Sequence, residues 1–136
     1  MLKNPKDRAA SSKIDLSLFP TSARAYGALA MVEGDLKYGG YNWRDIGVAA
    51  SVYYSACGRH MDKWFNGEES DLDTRVPHLA SALACIAILI DATTQGNLND
   101  DRPPVQSTDI YLKMQEIVEH LQRNIPRTAE RFKEKQ

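Results

Sequence analysis

No charge of one sign dominates this sequence: 17 Lys and Arg stand against 18 Asp and Glu, for a formal net charge of −1. No summed field then favours a nucleic-acid backbone or an anionic membrane surface, so no nucleic-acid polymer is expected as a partner. Cysteine is scarce as well. Cys57 and Cys85 lie in apolar stretches and lack the C-x-x-C spacing of a metal or redox pair, which predicts buried reduced thiols and a cytoplasmic setting. Long hydrophobic runs are missing. The longest, Leu79 to Ile90, is about 12 residues, against roughly 20 to span a bilayer, so no membrane partner is expected. The opening Met1 to Ser12 mixes Lys3, Lys6, Asp7 and Arg8 with no apolar core. It does not read as a signal peptide, and it is expected to be mobile or peripheral until Ile14. Alternating β-branched runs and internal repeats are absent too, which removes most β and solenoid folds.

What is present is material for one helical core. With 43% hydrophobic residues in 136, a single all-α domain over residues 1–136 is expected, built on a four-helix bundle. Thr21 or Ser22 can cap a first helix that runs through Leu29 and Val32 to Tyr38 and stops at Gly39-Gly40. A loop with Tyr41, Asn42 and Trp43 leads to Asp45, a candidate cap for a second helix from Ile46 to about Phe65, stopped by Asn66-Gly67. The acidic stretch Glu68 to Asp73 reads as a loop, and Pro77 fits the first turn of a third helix from Val76 to Thr94, ended by Gly96. That helix is apolar nearly all round, which predicts the buried centre of a bundle or an oligomer. A polar linker, Asn97 to Gln106, precedes a fourth helix capped by Ser107 or Thr108 and broken at Pro126. The charged tail Arg127 to Gln136 is expected to be a short helix or a frayed end.

Chemistry concentrates between Arg59 and His78, where His60 and His78 bracket Asp62, Glu68, Glu69, Asp71 and Asp73. Carboxylates are costly to hold together without a cation, and hard oxygen donors suit Mg2+ or Mn2+; the alternative is a solvated acidic turn. His60, four residues before Trp64, is either a packed imidazole or a ligand. His78, at the start of a helix, is either a coordinating group or a cap. Glu33 and Lys37 can form an i,i+4 ion pair. Trp43 is either an exposed aromatic surface or a core anchor.

Several blocks then resemble one family. Lys13-Ile14-Asp15-Leu16 with Pro20, Glu33-Gly34-Asp35-Leu36-Lys37-Tyr38-Gly39 with Asn42-Trp43, and Arg59-His60 with Trp64, Gly67-Glu68, Asp71, Asp73 and Pro77-His78-Leu79-Ala80 appear in the order of the phage dATP/dGTP diphosphohydrolases, a MazG-like group of all-α enzymes. Asp73 stands where that pattern has Glu, Arg75 where it has Gly, and Ser81 and Cys85 where it often has His and Asn. The resemblance implies hydrolysis of dGTP or dATP to the monophosphate and pyrophosphate by a metal-activated water. Glu33, Glu68, Asp71 and Asp73 are its implied ligands for Mg2+ or Mn2+, and Glu68, His60 and His78 its implied catalytic groups. Lys37 and Arg59 would meet phosphate oxygens, Asn42, Trp43 and Tyr38 the nucleoside, and Lys13 the rim. A homodimer or homotetramer is expected, in a host cytoplasm if the source is viral. The competing reading is a non-catalytic helical oligomerisation or interaction module. An HD-type phosphohydrolase would want an adjacent His-Asp pair, which His60-Met61-Asp62 is not.

Overall fold

The computed structural model describes residues 4–106 and 108–130. The candidate cap Ser107, the first three residues of the opening segment and tail residues 131–136 lie outside the described residues. The fold is all-α, with one two-residue strand pair. The elements in order are α1 (Pro5–Ala10), α2 (Thr21–Tyr38), α3 (Asn42–Ile46), β1 (Val48–Ala49), α4 (Ala50–Phe65), α5 (His78–Gln95), β2 (Leu98–Asn99) and α6 (Ile110–Asn124). Two compact units result, Met1–Arg102 and Pro103–Gln136.

In the first unit α5 packs against both α4 and α2. Apart from His78, the most buried residues of α5 are alanines. Ala80, Ala82, Ala84 and Ala92 are buried, whereas Ile86 and Ile90 remain 44% and 59% exposed. Small side chains let the helix axes come close: a Cβ added at Gly27 of α2 would lie 3.3 Å from Leu83. Ala30, Val76, Ala80 and Ala84 form one cluster, and Trp43, Val48 and Ala92 another, with Met31 packed against both. The whole of α5, 18 residues of mean hydropathy 1.3, is long and apolar enough by length and composition to cross a membrane. It carries His78 and Asp91, and both find polar neighbours within the unit.

Helix stops fall where the sequence placed them: Gly39 and Gly96 follow α2 and α5 at φ 85° and 74°, and Gly67 follows α4 at φ 103°. The starts differ. Pro20 and Pro77 occupy the cap positions of α2 and α5 in extended conformation, with no side-chain cap bond, so Thr21 is the first helical residue and α5 begins at His78 rather than Val76. The expected helix from Ile46 is interrupted. Asn42–Ile46 is a short helix of its own that contains Asp45, the chain reverses at Gly47, and α4 begins only at Ala50. Gly47 is required there, because its φ is 84° and a Cβ would sit 2.9 Å from the Asn97 carbonyl oxygen. That close approach joins β1 to β2 in parallel, with Val48 opposite Leu98 and Ala49 opposite Asn99.

The expected linker is therefore partly structural. Asp101 accepts from the Ser51 backbone N–H at 2.8 Å and from the Ser51 hydroxyl, capping α4 from 50 residues away. The opening segment likewise holds α1, where Asn4 accepts from the Lys6 N–H. In the second unit α6 is capped by Asp109, which accepts from Tyr111 and Leu112, and it ends before Pro126. Along one face it carries Ile110, Met114, Ile117, Val118 and Leu121.

Candidate active site

Residues 66–78 are folded by local bonds that set Glu68 over the start of α5. Asp71 pins the turn: its Oδ1 accepts from the Asp73 and Thr74 N–H groups, each at 2.9 Å. Those bonds hold its carboxyl below the ordinary value. The Asp71 N–H donates to Val76 O, the Arg75 N–H to Asp71 O and the His78 N–H to Glu69 O. Arg75 sits at φ 66°, in the left-handed region where glycine is at ease and other residues carry strain. That geometry explains why a glycine suits this position in the resembling pattern.

This hairpin-like turn brings the two histidines together. His78 is completely buried, and its Nδ1 lies 3.0 Å from Nδ1 of His60 on α4. One ring must donate and the other accept. On the far side of the ring, Glu68 Oε1 is 3.2 Å from His78 Nε2. That nitrogen nonetheless has no hydrogen bond, so the oxygen stands off the N–H axis. Burial, and then the neighbouring His78, Lys63 and Arg59 charges, push His60 below its usual range, while Glu33 pulls it the other way. Glu33 on α2 thus faces the same region. Lys37 donates to it at 2.8 Å, and that bond raises the ammonium's pKa, with a smaller contribution from Asp71. Arg59 donates to Ser55 Oγ at 2.8 Å and is exposed.

The expected carboxylate cluster is not assembled. Among the described residues no three His, Cys, Asp or Glu side chains gather closely enough to hold a metal ion. Glu33 is paired with Lys37, Asp71 is spent on its turn, Glu68 faces His78, and Asp73 is exposed. One chain therefore does not offer a closed protein cage. Mg2+ needs none when nucleotide phosphate oxygens and water complete its shell.

Of the two readings of Trp43, the structure takes the core anchor. It is 9% exposed, and its Nε1 donates to Asp91 Oδ2 at 2.7 Å. Asp91 also receives Arg44 Nε and Nη2, each at 2.9 Å, and Arg44 lies over the Tyr41 ring, 4.6 Å from its centroid. These bonds, Arg44 first, hold Asp91 at about 2 rather than 3.8. The carboxylate's stabilising contribution is therefore present above its ordinary value and is lost as the pH falls towards the folded one. Sequence reading missed Asp91 and Arg44, although a single carboxylate directly after the apolar run of α5 signals a polar partner. Asn42 opens α3, Tyr38 ends α2 with 70% exposure, and Lys13 is exposed after α1, where its N–H donates to Ala10 O. No hydrogen bond or ion pair joins these three side chains to the histidine pair among the described residues.

No curated protein and no solved structure matches the chain. Residues 3–102 match the family model for dATP/dGTP diphosphohydrolase, N-terminal, well over half of the 136 residues, and the chain belongs to that family.

Proposed function

We propose that the protein hydrolyses purine deoxynucleoside triphosphates, dGTP or dATP, to the monophosphate and pyrophosphate. The family's name is that of a diphosphohydrolase, which supports hydrolase chemistry. The observation that carries the finer reading is the grouping of Glu68, His78 and His60, in which a buried imidazole lies between a carboxylate and a partly exposed imidazole. Lys63 and Arg59 act on His60, Lys37 pairs with Glu33, which also acts on His60, and these cations suit an anionic substrate. Asn42 and the exposed Tyr38 are candidates for the nucleoside, and Lys13 for the rim. Mg2+ or Mn2+ is proposed to enter with the triphosphate and, when bound, to neutralise phosphate charge and acidify water. No ligand set within one chain is assigned to it. A cytoplasmic setting, where nucleotide pools lie and the free thiols Cys57 and Cys85 stay reduced, belongs to the same proposal.

Purified protein incubated with dGTP or dATP and Mn2+ or Mg2+, resolved by anion-exchange chromatography, is expected to yield the monophosphate and pyrophosphate. Release of intact triphosphate would point to HD-type chemistry, and unchanged substrate to a non-catalytic helical module.

A homodimer or homotetramer is part of the reading. Its support is the apolar surface that the unit leaves uncovered, with Ile86 and Ile90 on α5 and Leu29 and Val32 on α2 all more than 40% exposed. A second copy laid there would also bring its own carboxylates. Light scattering on the eluting protein is expected to give at least twice the 15.2 kDa chain mass; a monomer at micromolar concentration would remove this part.

A further inference from the structure

We infer that α6 pairs with α6 of a second copy of this chain, the two helices running antiparallel with their apolar faces sealed against each other. The pairing belongs to the second unit, beyond the residues that match the family, and stands apart from the hydrolytic reading and from the apolar surface of the first unit.

No side of α6 is covered. The helix has 15 residues, and none of them is buried. A helix of about 12–15 residues is marginal alone in water, so its persistence depends on packing an apolar face. That face is Ile110, Met114, Ile117, Val118, Leu121 and, at the C-terminal cap, Ile125, with exposures from 45% to 65%.

The order of these residues points to the occupant. Counted along the chain, the steps between them are 4, 3, 1, 3 and 4, which read the same from either end. A reversed copy therefore sets Ile110 against Ile125 of the partner subunit, Met114 against Leu121 of the partner subunit and Ile117 against Val118 of the partner subunit, so that an apolar residue meets an apolar residue at every level. An unrelated groove would impose no such symmetry, whereas a two-fold interface is made by the same patch on both sides. Ile110, Met114, Ile117 and Leu121 also follow the alternating four- and three-residue steps of a two-stranded seam. At about 100° per residue the apolar positions of the helix fall in one stripe, and Lys113, Glu116, Glu119 and Arg123 lie on its flank or behind it, so no charge enters the seam. The antiparallel sense sets the positive start of each helix beside the negative end of the other.

Cysteine cross-linking of the full chain tests both the pairing and its direction. In Ile117→Cys the two introduced thiols stand about one residue out of register across the seam, and mild oxidation is expected to join them. The product is a disulfide dimer on a non-reducing gel that the parent chain, with its own Cys57 and Cys85, does not form. Met114→Cys is expected to stay unlinked, because in a reversed pair its two copies lie about 10 Å apart along the axis, beyond disulfide reach. Met114→Cys mixed and equilibrated with Leu121→Cys is expected to link. Adding Leu121→Glu to Ile117→Cys buries a charge in the seam and is expected to abolish the link, which a collision between free helices would survive. Linking of Met114→Cys to itself means a parallel pair and overturns the antiparallel alignment. An unlinked Ile117→Cys, or a link that persists with Leu121→Glu, overturns the pairing and leaves the face to the first unit of the same chain or to an unrelated partner.

Discussion

Replacing Trp43 by alanine is expected to destabilise the first unit by about 3–5 kcal/mol, read as a shift of the urea midpoint by circular dichroism. The ring is the largest member of the cluster with Val48 and Ala92, and Met31, Tyr53, Ile88 and Leu98 pack around it. Its removal leaves a cavity that several elements border, and it strips Asp91 of one donor. Against a typical domain stability of about 5–15 kcal/mol, such a loss consumes a large share of the margin. Trp43→Phe retains most of the apolar area and loses only the indole N–H, so a cost of about 1–3 kcal/mol is expected. A wild-type midpoint in the alanine variant would mean that the indole is not anchored, and would return it to the list of surfaces open to a nucleobase.

His60→Gln is expected to lower kcat for dGTP by about 10²- to 10⁴-fold, the range that loss of a positioned proton acceptor produces. A glutamine amide can donate or accept, so the buried His78 Nδ1 can keep a partner, but the amide supplies no basic nitrogen. Helicity should be unchanged and KM nearly so, since phosphate contacts are assigned to Lys37 and Arg59. A variant that keeps full kcat would place the proton acceptor elsewhere and reduce the histidine pair to packing.

Much of the site was legible along the chain because its parts are close in sequence. The Asn66-Gly67 stop, the acidic turn and the Pro77-His78 start span a short segment, and local bonds from Asp71 fold it with little help from elsewhere. What the chain order could not reveal is where each carboxylate points. Glu33, Glu68, Asp71 and Asp73 look alike as letters, yet one pairs with Lys37, one faces a buried imidazole, one serves backbone N–H groups and one meets solvent. The interruption at Gly47 was missed for a related reason. Ile46 and Val48 are apolar like the helices around them, and the pairing of Val48 with Leu98 from beyond α5 is invisible in the local sequence.

The amino-acid sequence by itself determined the all-α class, the glycine stops of α2, α4 and α5, and the gathering of His60, Glu68 and His78 into one region. Helix propensity, positive-φ termini and short sequence separation are local properties, written residue by residue. Only the tertiary structure decided that alanines of α5 are buried while Ile86 and Ile90 stay exposed, that Asp91 clasps Trp43 and Arg44, and that Asp101 caps α4. Those pairings join residues roughly 50 positions apart, and close packing chooses among faces that composition leaves equivalent.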